Sequence, residues 1–283
     1  MAQLQVRNIT PAFGAEVVGL DSGTELDDED RQFLRNAFDN RGVLVFRDLD
    51  IDRDYQTDIA DLLIGWEDRP TDTPPRNMLV SNKEPEGAAP FGRLLFHSDM
   101  MWAPEPFQVL SLYGVQVDSP AVPTVFASTT NAWDTLPEDL RSRIDGLHAL
   151  HMTGQQRRGD GDDDLLEAVR EQERSTTMPI EYRHPRTGRM MLYVSQMNTR
   201  EIVELSSTQS EELLEALFAH LYAAENTCQH EWRNNDLVLW DNQLIQHARG
   251  NVTTEGPVRT LRKVISPIPS LDGMETPRFS NAS

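Results

Sequence analysis

The chain carries one cysteine, Cys228, among its 283 residues. A lone thiol excludes an intrachain disulfide framework and fits a reducing compartment. Long hydrophobic runs are missing as well. Gly42-Val43-Leu44-Val45-Phe46 is typical of the apolar stretches, far short of the roughly 20 residues a membrane-spanning helix needs. The start, Met1-Ala2-Gln3-Leu4-Gln5-Val6-Arg7, has no basic segment followed by an apolar one. No secretory leader is therefore expected, and the expected location is cytoplasmic. Positive charge is scarce: the net charge is −20. Such a surface repels phosphate backbones and anionic lipid, so neither nucleic acid nor a membrane is an expected partner. The charge serves solubility. It also opposes any anionic ligand unless cations inside a pocket overcome it at short range.

What is present reads as globular. Hydrophobic residues make up 38% and charged ones 25%, ordinary proportions for a chain long enough to bury a large core. No repeat or Gly/Ser-rich linker divides it, so residues 1–283 are expected to form a single domain. The opening reads as two strands around a turn at Thr10-Pro11, the second strand over 15–20. Apolar periodicity predicts helices over 26–40 and 52–63, with the strand 42–46 between them, too uniformly apolar to have a solvated face. Further strands are expected at 78–81, 109–113, 124–127, 190–194 and 237–240. An acidic helix is expected over 162–173, and an amphipathic one over 207–225 with Leu213, Leu214, Leu217, Phe218 and Leu221 on one face. The segment 155–178 is a candidate lid insertion, with an ordinary surface insertion as the alternative. Many strands with a few helices predict a mostly β fold with helical decoration, a barrel or jelly roll.

Two imidazoles and a carboxylate on one face of an octahedron hold Fe(II) and leave positions open for a bidentate 2-oxo acid and O2. In Phe96-His97-Ser98-Asp99 the two candidate ligands are one residue apart, and on a strand such residues share a side. His247, after the apolar run 237–240, is the candidate third ligand. The tripeptide alone carries little weight: with 7 His and 46 acidic residues, roughly one His-x-acid is expected by chance. Taken singly, His97 is as well explained as a strand-end histidine and His247 as a core imidazole.

Context changes this. Phe96-His97-Ser98-Asp99-Met100-Met101-Trp102, followed by Pro104-Glu105-Pro106, resembles the first metal motif of the taurine dioxygenase/2,4-D dioxygenase family. Trp240-Asp241-Asn242-Gln243-Leu244-Ile245-Gln246-His247-Ala248-Arg249 resembles the second. Ile9-Thr10-Pro11-Ala12-Phe13-Gly14-Ala15-Glu16-Val17 is similar to the family's start. His184-Pro185-Arg186-Thr187-Gly188-Arg189 with Leu192-Tyr193-Val194 is similar to its mid-chain segment. The resemblance spans nearly the whole chain. It implies a double-stranded β-helix (a cupin-like jelly roll) with Fe(II) at His97, Asp99 and His247. It also implies a dioxygenase that converts 2-oxoglutarate to succinate and CO2 while oxidising a small-molecule substrate with O2, usually by C–H hydroxylation. Desaturation or cleavage by the same oxidant is an alternative outcome. Halogenating relatives lack the metal carboxylate, so Asp99 argues against halogenation. Family members are often dimers or tetramers, so a homo-oligomer is among the expected partners.

The distal carboxylate of 2-oxoglutarate calls for a cation, and arginine offers a bidentate fork. In Val258-Arg259-Thr260-Leu261-Arg262-Lys263-Val264-Ile265, alternation puts Arg259 and Lys263 on one side and Arg262 on the other. The family pattern assigns Arg259 to the co-substrate and Lys263 to the substrate's anion, given a one-residue insertion in the loop 251–256. Counting without the insertion favours Arg262. Thr124 lies where the family has a threonine on the same carboxylate, although Val122-Pro123 replaces the usual Gly-Gly. On the substrate side, Lys263 stands in place of arginine, and Asn198 falls where taurine-type enzymes carry an aromatic. Arg93 and Arg200 are further anion candidates, and Met100, Met101 and Trp102 form an apolar wall or simply core. These departures point to a carboxylated substrate with an apolar or amine-bearing body. Two other readings of the same residues are a zinc-type metallohydrolase and a non-catalytic barrel binding a metal or anion.

Overall fold

The strand Val43–Phe46 is buried along its whole length because both its faces are covered. Val43 and Val45 point into one core cluster and Leu44 and Phe46 into another, as period-two alternation requires. The protein, described here by a computed structural model covering residues 4–66, 78–104, 106–157, 163–166, 168–169, 174–267 and 278–279, is built around that strand.

One sheet has seven strands in the order Gln5–Asn8, Ala15–Val18, Val43–Phe46, Leu237–Asp241, Val109–Val117, Arg259–Ser266 and Met78–Ser81. Its pairings are antiparallel except for Ala15–Val18 with Val43–Phe46. A second, antiparallel sheet has four strands in the order Thr227–His230, Thr124–Ser128, Ile245–Val252 and Gly92–His97. Leu110, Leu112, Val238, Trp240 and Leu261 of the first sheet share a core with Phe126 and Ile245 of the second. Two sheets packed face to face in this way make the expected jelly roll.

Helices cover the outer face of the larger sheet. The helix Asp28–Arg41 is capped by Asp27, whose side chain accepts from the Asp30 amide, and ends at Gly42 with φ +69°. That left-handed residue lets the chain turn straight into Val43–Phe46. With the helix Arg53–Leu63 it buries Leu34, Phe38, Ile59 and Leu63 against Leu44, Phe46, Leu237 and Leu239. The helix Ser207–Leu221 opens with a capping box of Ser206 and Gln209. It packs its expected apolar face on Ile144, Ile180, Leu192 and Ile202. It stops four residues earlier than expected, before a short 3-10 turn at Ala224–Asn226.

The acidic helix expected over 162–173 does not occur among the described residues. Residues 163–166 form a turn in which Leu165 bridges to Arg93, and Ala168–Val169 pairs with Arg278–Phe279. Leu165 and Leu166 are both buried, and extended chain against the start of Gly92–His97 provides that burial. Residues 158–162, 167 and 170–173 of the expected lid segment lie outside the described residues. Two short helices, Thr129–Asp134 and Glu138–Ile144, and a three-stranded sheet of Ser175–Pro179, His148–Met152 and Thr199–Ile202 were not anticipated. Among the described residues no helix is long and apolar enough to cross a membrane.

Candidate active site

His97 and His247 are direct cross-strand partners in the smaller sheet, so their side chains share a face. Their ring centroids are 4.1 Å apart. Asp99 follows His97 in the turn after Gly92–His97, with its Oδ1 3.2 Å from His97 Nε2 and 3.8 Å from His247 Nε2. Ligand atoms from the three residues lie within 4.8 Å of one another. The His97 ring is oriented by a 2.8 Å hydrogen bond from Nδ1 to the Leu95 carbonyl, which places the proton on Nδ1 and leaves the Nε2 lone pair facing Asp99.

Protonation suits a cation. Burial pushes the Asp99 carboxyl up, but the Lys263 ammonium first of all, with the His97 and His247 imidazoles beside it, holds it well below the usual carboxylate range. Burial, with His97 and Lys263 nearby, keeps His247 well below the usual imidazole value despite Asp99. An ionised carboxylate and a neutral imidazole are the forms that ligate a divalent first-row ion, and two nitrogens plus one oxygen suit Fe(II). The residues therefore fit the metal.

Asn242 holds the carboxylate's peptide in place. Its Oδ1 accepts from the Asp99 amide at 2.9 Å, and its Nδ2 donates to the Asp99 and Phe107 carbonyls at 2.9 and 3.2 Å. Neighbouring Asp241 is fully buried; its Oδ1 accepts from the amides of Gln243 and Leu244 at 3.0 and 3.1 Å. Its other oxygen pairs with Arg186, which also bridges to Asp39, and His184 Nε2 stands 3.4 Å from Oδ1. The turn that delivers His247 is thereby tied to the His184-Pro185-Arg186-Thr187-Gly188-Arg189 segment. Asn242, Asp241 and Arg186 all lie within quoted motifs, but no spacing rule signals that an amide will brace another loop's backbone.

Arg259 is buried beside Thr124. Its Nε donates to the Val122 carbonyl at 3.0 Å and its Nη2 to Thr124 Oγ1 at 3.2 Å. Trp232 Nε1 donates to the same hydroxyl oxygen at 3.0 Å. Arg262 faces the other way. It stacks 4.4 Å over the Tyr113 ring, and its Nε and Nη2 donate to Gln56 Oε1 and to the Ile51 and Asp52 carbonyls. Lys263 donates to Asp99 Oδ2, directly at the triad.

The other substrate-side candidates are scattered. Arg93 Nε pairs with Asp164 at 3.1 Å. Asn198 is buried, donating to the Met152 carbonyl at 3.2 Å while its Oδ1 finds no partner among the described residues. Met101 is wholly buried in the inter-sheet core and Met100, at φ +61°, packs against it. Trp102 is buried with the Arg174 guanidinium 5.8 Å from its ring centre. Arg200 is exposed in Thr199–Ile202.

The sequence profile of the taurine catabolism dioxygenase TauD, TfdA family matches residues 5–265. The chain belongs to that family. It is 31% identical over 290 residues to pentalenolactone F synthase of Streptomyces avermitilis, covering 90% of this chain and 91% of that one. It is 28% identical to the alpha-ketoglutarate-dependent 2,4-dichlorophenoxyacetate dioxygenase of Cupriavidus pinatubonensis, covering 89% and 94%. A crystal structure of a taurine dioxygenase from Burkholderia xenovorans superposes with a TM-score of 0.73 at 24% identity, covering 93% and 90%. The latter likeness concerns the fold. As a TauD/TfdA protein with the His-Asp-His set, the chain is an Fe(II)- and 2-oxoglutarate-dependent dioxygenase using O2. This displaces the metallohydrolase and the non-catalytic barrel.

Proposed function

We propose that His97, Asp99 and His247 hold Fe(II), that Arg259 and Thr124 hold the distal carboxylate of 2-oxoglutarate, and that Lys263 receives the carboxylate of a small organic substrate that is hydroxylated at a C–H bond. The carrying observation is one cation at the triad and a second beside Thr124, on the strand that pairs with His247. Lys263 contacts Asp99, and Arg259 lies on Thr124 with no acidic partner among the described residues.

When bound, Fe(II) with 2-oxoglutarate and O2 supplies the oxidation, giving succinate, CO2 and a hydroxylated product from the substrate. The protein's contribution is position and charge. Thr124 Oγ1 accepts two N–H bonds, so its own proton is left to donate to a carboxylate. The Arg259 fork is fixed by Val122 and Thr124 before any ligand arrives, so little ordering is needed on binding. Arg262 is spent on the Arg53–Leu63 helix and its cap, which supports Arg259 as the co-substrate arginine. The lysine's point charge tolerates anions of different shape, and 2,4-dichlorophenoxyacetate, named for a relative, is a carboxylate.

Adding 2-oxoglutarate to the Fe(II) protein without oxygen should produce a weak visible charge-transfer band. The band should vanish in His97→Ala, weaken in Arg259→Ala and persist in Arg262→Ala. Iron-loaded protein without a band would sink the assignment. A screen for substrate-stimulated succinate release then tests the substrate class, and taurine outperforming every carboxylate would reject it. A desaturated or cleaved product would replace hydroxylation and leave the site residues as assigned.

A further inference from the structure

Arg249 lies two residues beyond His247 in Ile245–Val252, so it shares the face of that strand with the metal-site histidine. Its direct partner on the neighbouring strand is Thr124, the residue that Arg259 touches. Side chains of directly opposed residues stand on the same face. Arg249, opposite Thr124 in the sheet, and Arg259, bonded to its hydroxyl, thus flank one threonine on the strand that pairs with His247.

Both are buried, Arg249 at 5% and Arg259 at 3% exposure. Arg249 Nη1 donates to the Ala89 carbonyl at 2.9 Å, and its Nη2 to the Phe91 and Gly92 carbonyls at 2.9 and 2.8 Å. Its Nε is buried with no hydrogen-bond partner among the described residues. Among the described residues neither arginine forms an ion pair with an acidic side chain, so only neutral groups answer two like charges in a dry environment. An arrangement of this kind is costly until an anion arrives. It also answers the opposing field of a surface with net charge −20, because two close cations prevail at short range.

We infer that Arg249 is a second cation for the distal carboxylate of the 2-oxo acid, making the chain select a dicarboxylate through two guanidinium groups. This rests on the reading that Arg259 and Thr124 receive that carboxylate. The competing role is purely mechanical: Arg249 clamps 89–92 at the start of Gly92–His97.

The two roles separate in a binding experiment on the Mn(II)-loaded protein, where no turnover occurs. Calorimetry compares 2-oxoglutarate with pyruvate, which has the same 2-oxo acid head and no distal carboxylate. In Arg249→Met, 2-oxoglutarate binding should weaken about 10- to 100-fold, while pyruvate binding and Mn(II) affinity stay within about threefold. Equal losses for both acids, or no loss, would overturn the inference and leave the clamp. Arg249→Gln, which keeps a donor for the carbonyls, gives the same comparison if the Met variant does not load Mn(II). Arg259→Met is measured in parallel. A loss there that does not discriminate between the acids refutes the reading of Arg259, independently of the Arg249 result.

Discussion

Asn242 and Asp99 grip one another through a paired amide contact, each side chain-to-backbone bond 2.9 Å long. Asp99, the proposed metal carboxylate, sits in a turn, not in a strand, and this contact gives the turn a rigid reference. Truncation to Asn242→Ala should therefore lower Mn(II) affinity by about 10- to 100-fold, the usual effect of removing a group that orients a ligand. Metal titration of the purified variant checks this. Wild-type affinity would show that Asp99 is held by its other neighbours.

Lys263 contacts the same carboxylate from the other side and so competes with a metal ion for its charge. Lys263→Met should bind Mn(II) about tenfold more tightly and 2-oxoglutarate about as the parent does, while losing stimulation by carboxylated substrates. Weaker metal binding in this variant would mean that the ammonium orients Asp99 and does not compete for it.

Asp241 sets acid resistance. Burial pushes its carboxyl up, but the neighbouring His184 imidazole, the Arg186 guanidinium and the Leu244 amide leave it below the usual carboxylate value. A depressed folded-state value adds stability above about pH 4, the ordinary carboxylate range, and that stability is lost as pH falls toward the depressed value. In Arg186→Met the acid-unfolding midpoint should move to higher pH, with about 3–5 kcal/mol lost at neutrality because a buried charge is stripped of its partner. Circular dichroism against pH measures both. An unmoved midpoint counts against the network.

His151 acts in a different window. It is fully buried, with Nδ1 3.1 Å from Thr199 Oγ1 and Nε2 without a partner among the described residues, and burial pulls it from 6.5 down to about 3. The unfolded chain takes up this proton first. Its contribution is thus complete above about pH 6.5 and declines at up to about 1.4 kcal/mol per pH unit as the pH falls toward the folded-state value. His151→Phe, which retains a ring against Tyr193, should flatten the stability profile between pH 6.5 and 4. Urea midpoints at those two values with unchanged spacing from the parent would refute it.

What could be read from the chain was whatever repeats locally. Leu213, Leu214, Leu217, Phe218 and Leu221 announce their helix, and the unbroken Val43–Phe46 run announces a strand covered on both sides. The triad was legible because two of its members are one residue apart and the third follows a recognisable strand. Short elements such as Thr129–Asp134 escaped, having fewer than two turns in which to show a period. The acidic stretch misled because charge suggested an exposed helix, while Leu165 and Leu166 take their burial from a neighbour distant in sequence. Arg93 was an anion candidate only until a folded partner, Asp164, occupied it. Asn242 and Arg249 gave no sign of what they hold, because their partners are backbone groups, which look alike in every sequence.

The pairing of His247 with His97 is flanked by an irregular step before Arg249 meets Leu94. A one-residue slip would set Gln246 or Ala248 opposite His97 and turn the second imidazole to the other face. With His97, Asp99 and His247 as the proposed ligands, a molecule zipped in the wrong register would lack the metal site. Stoichiometric metal uptake would then count the correctly assembled molecules in a preparation, and a bound ion would staple the two strands in register.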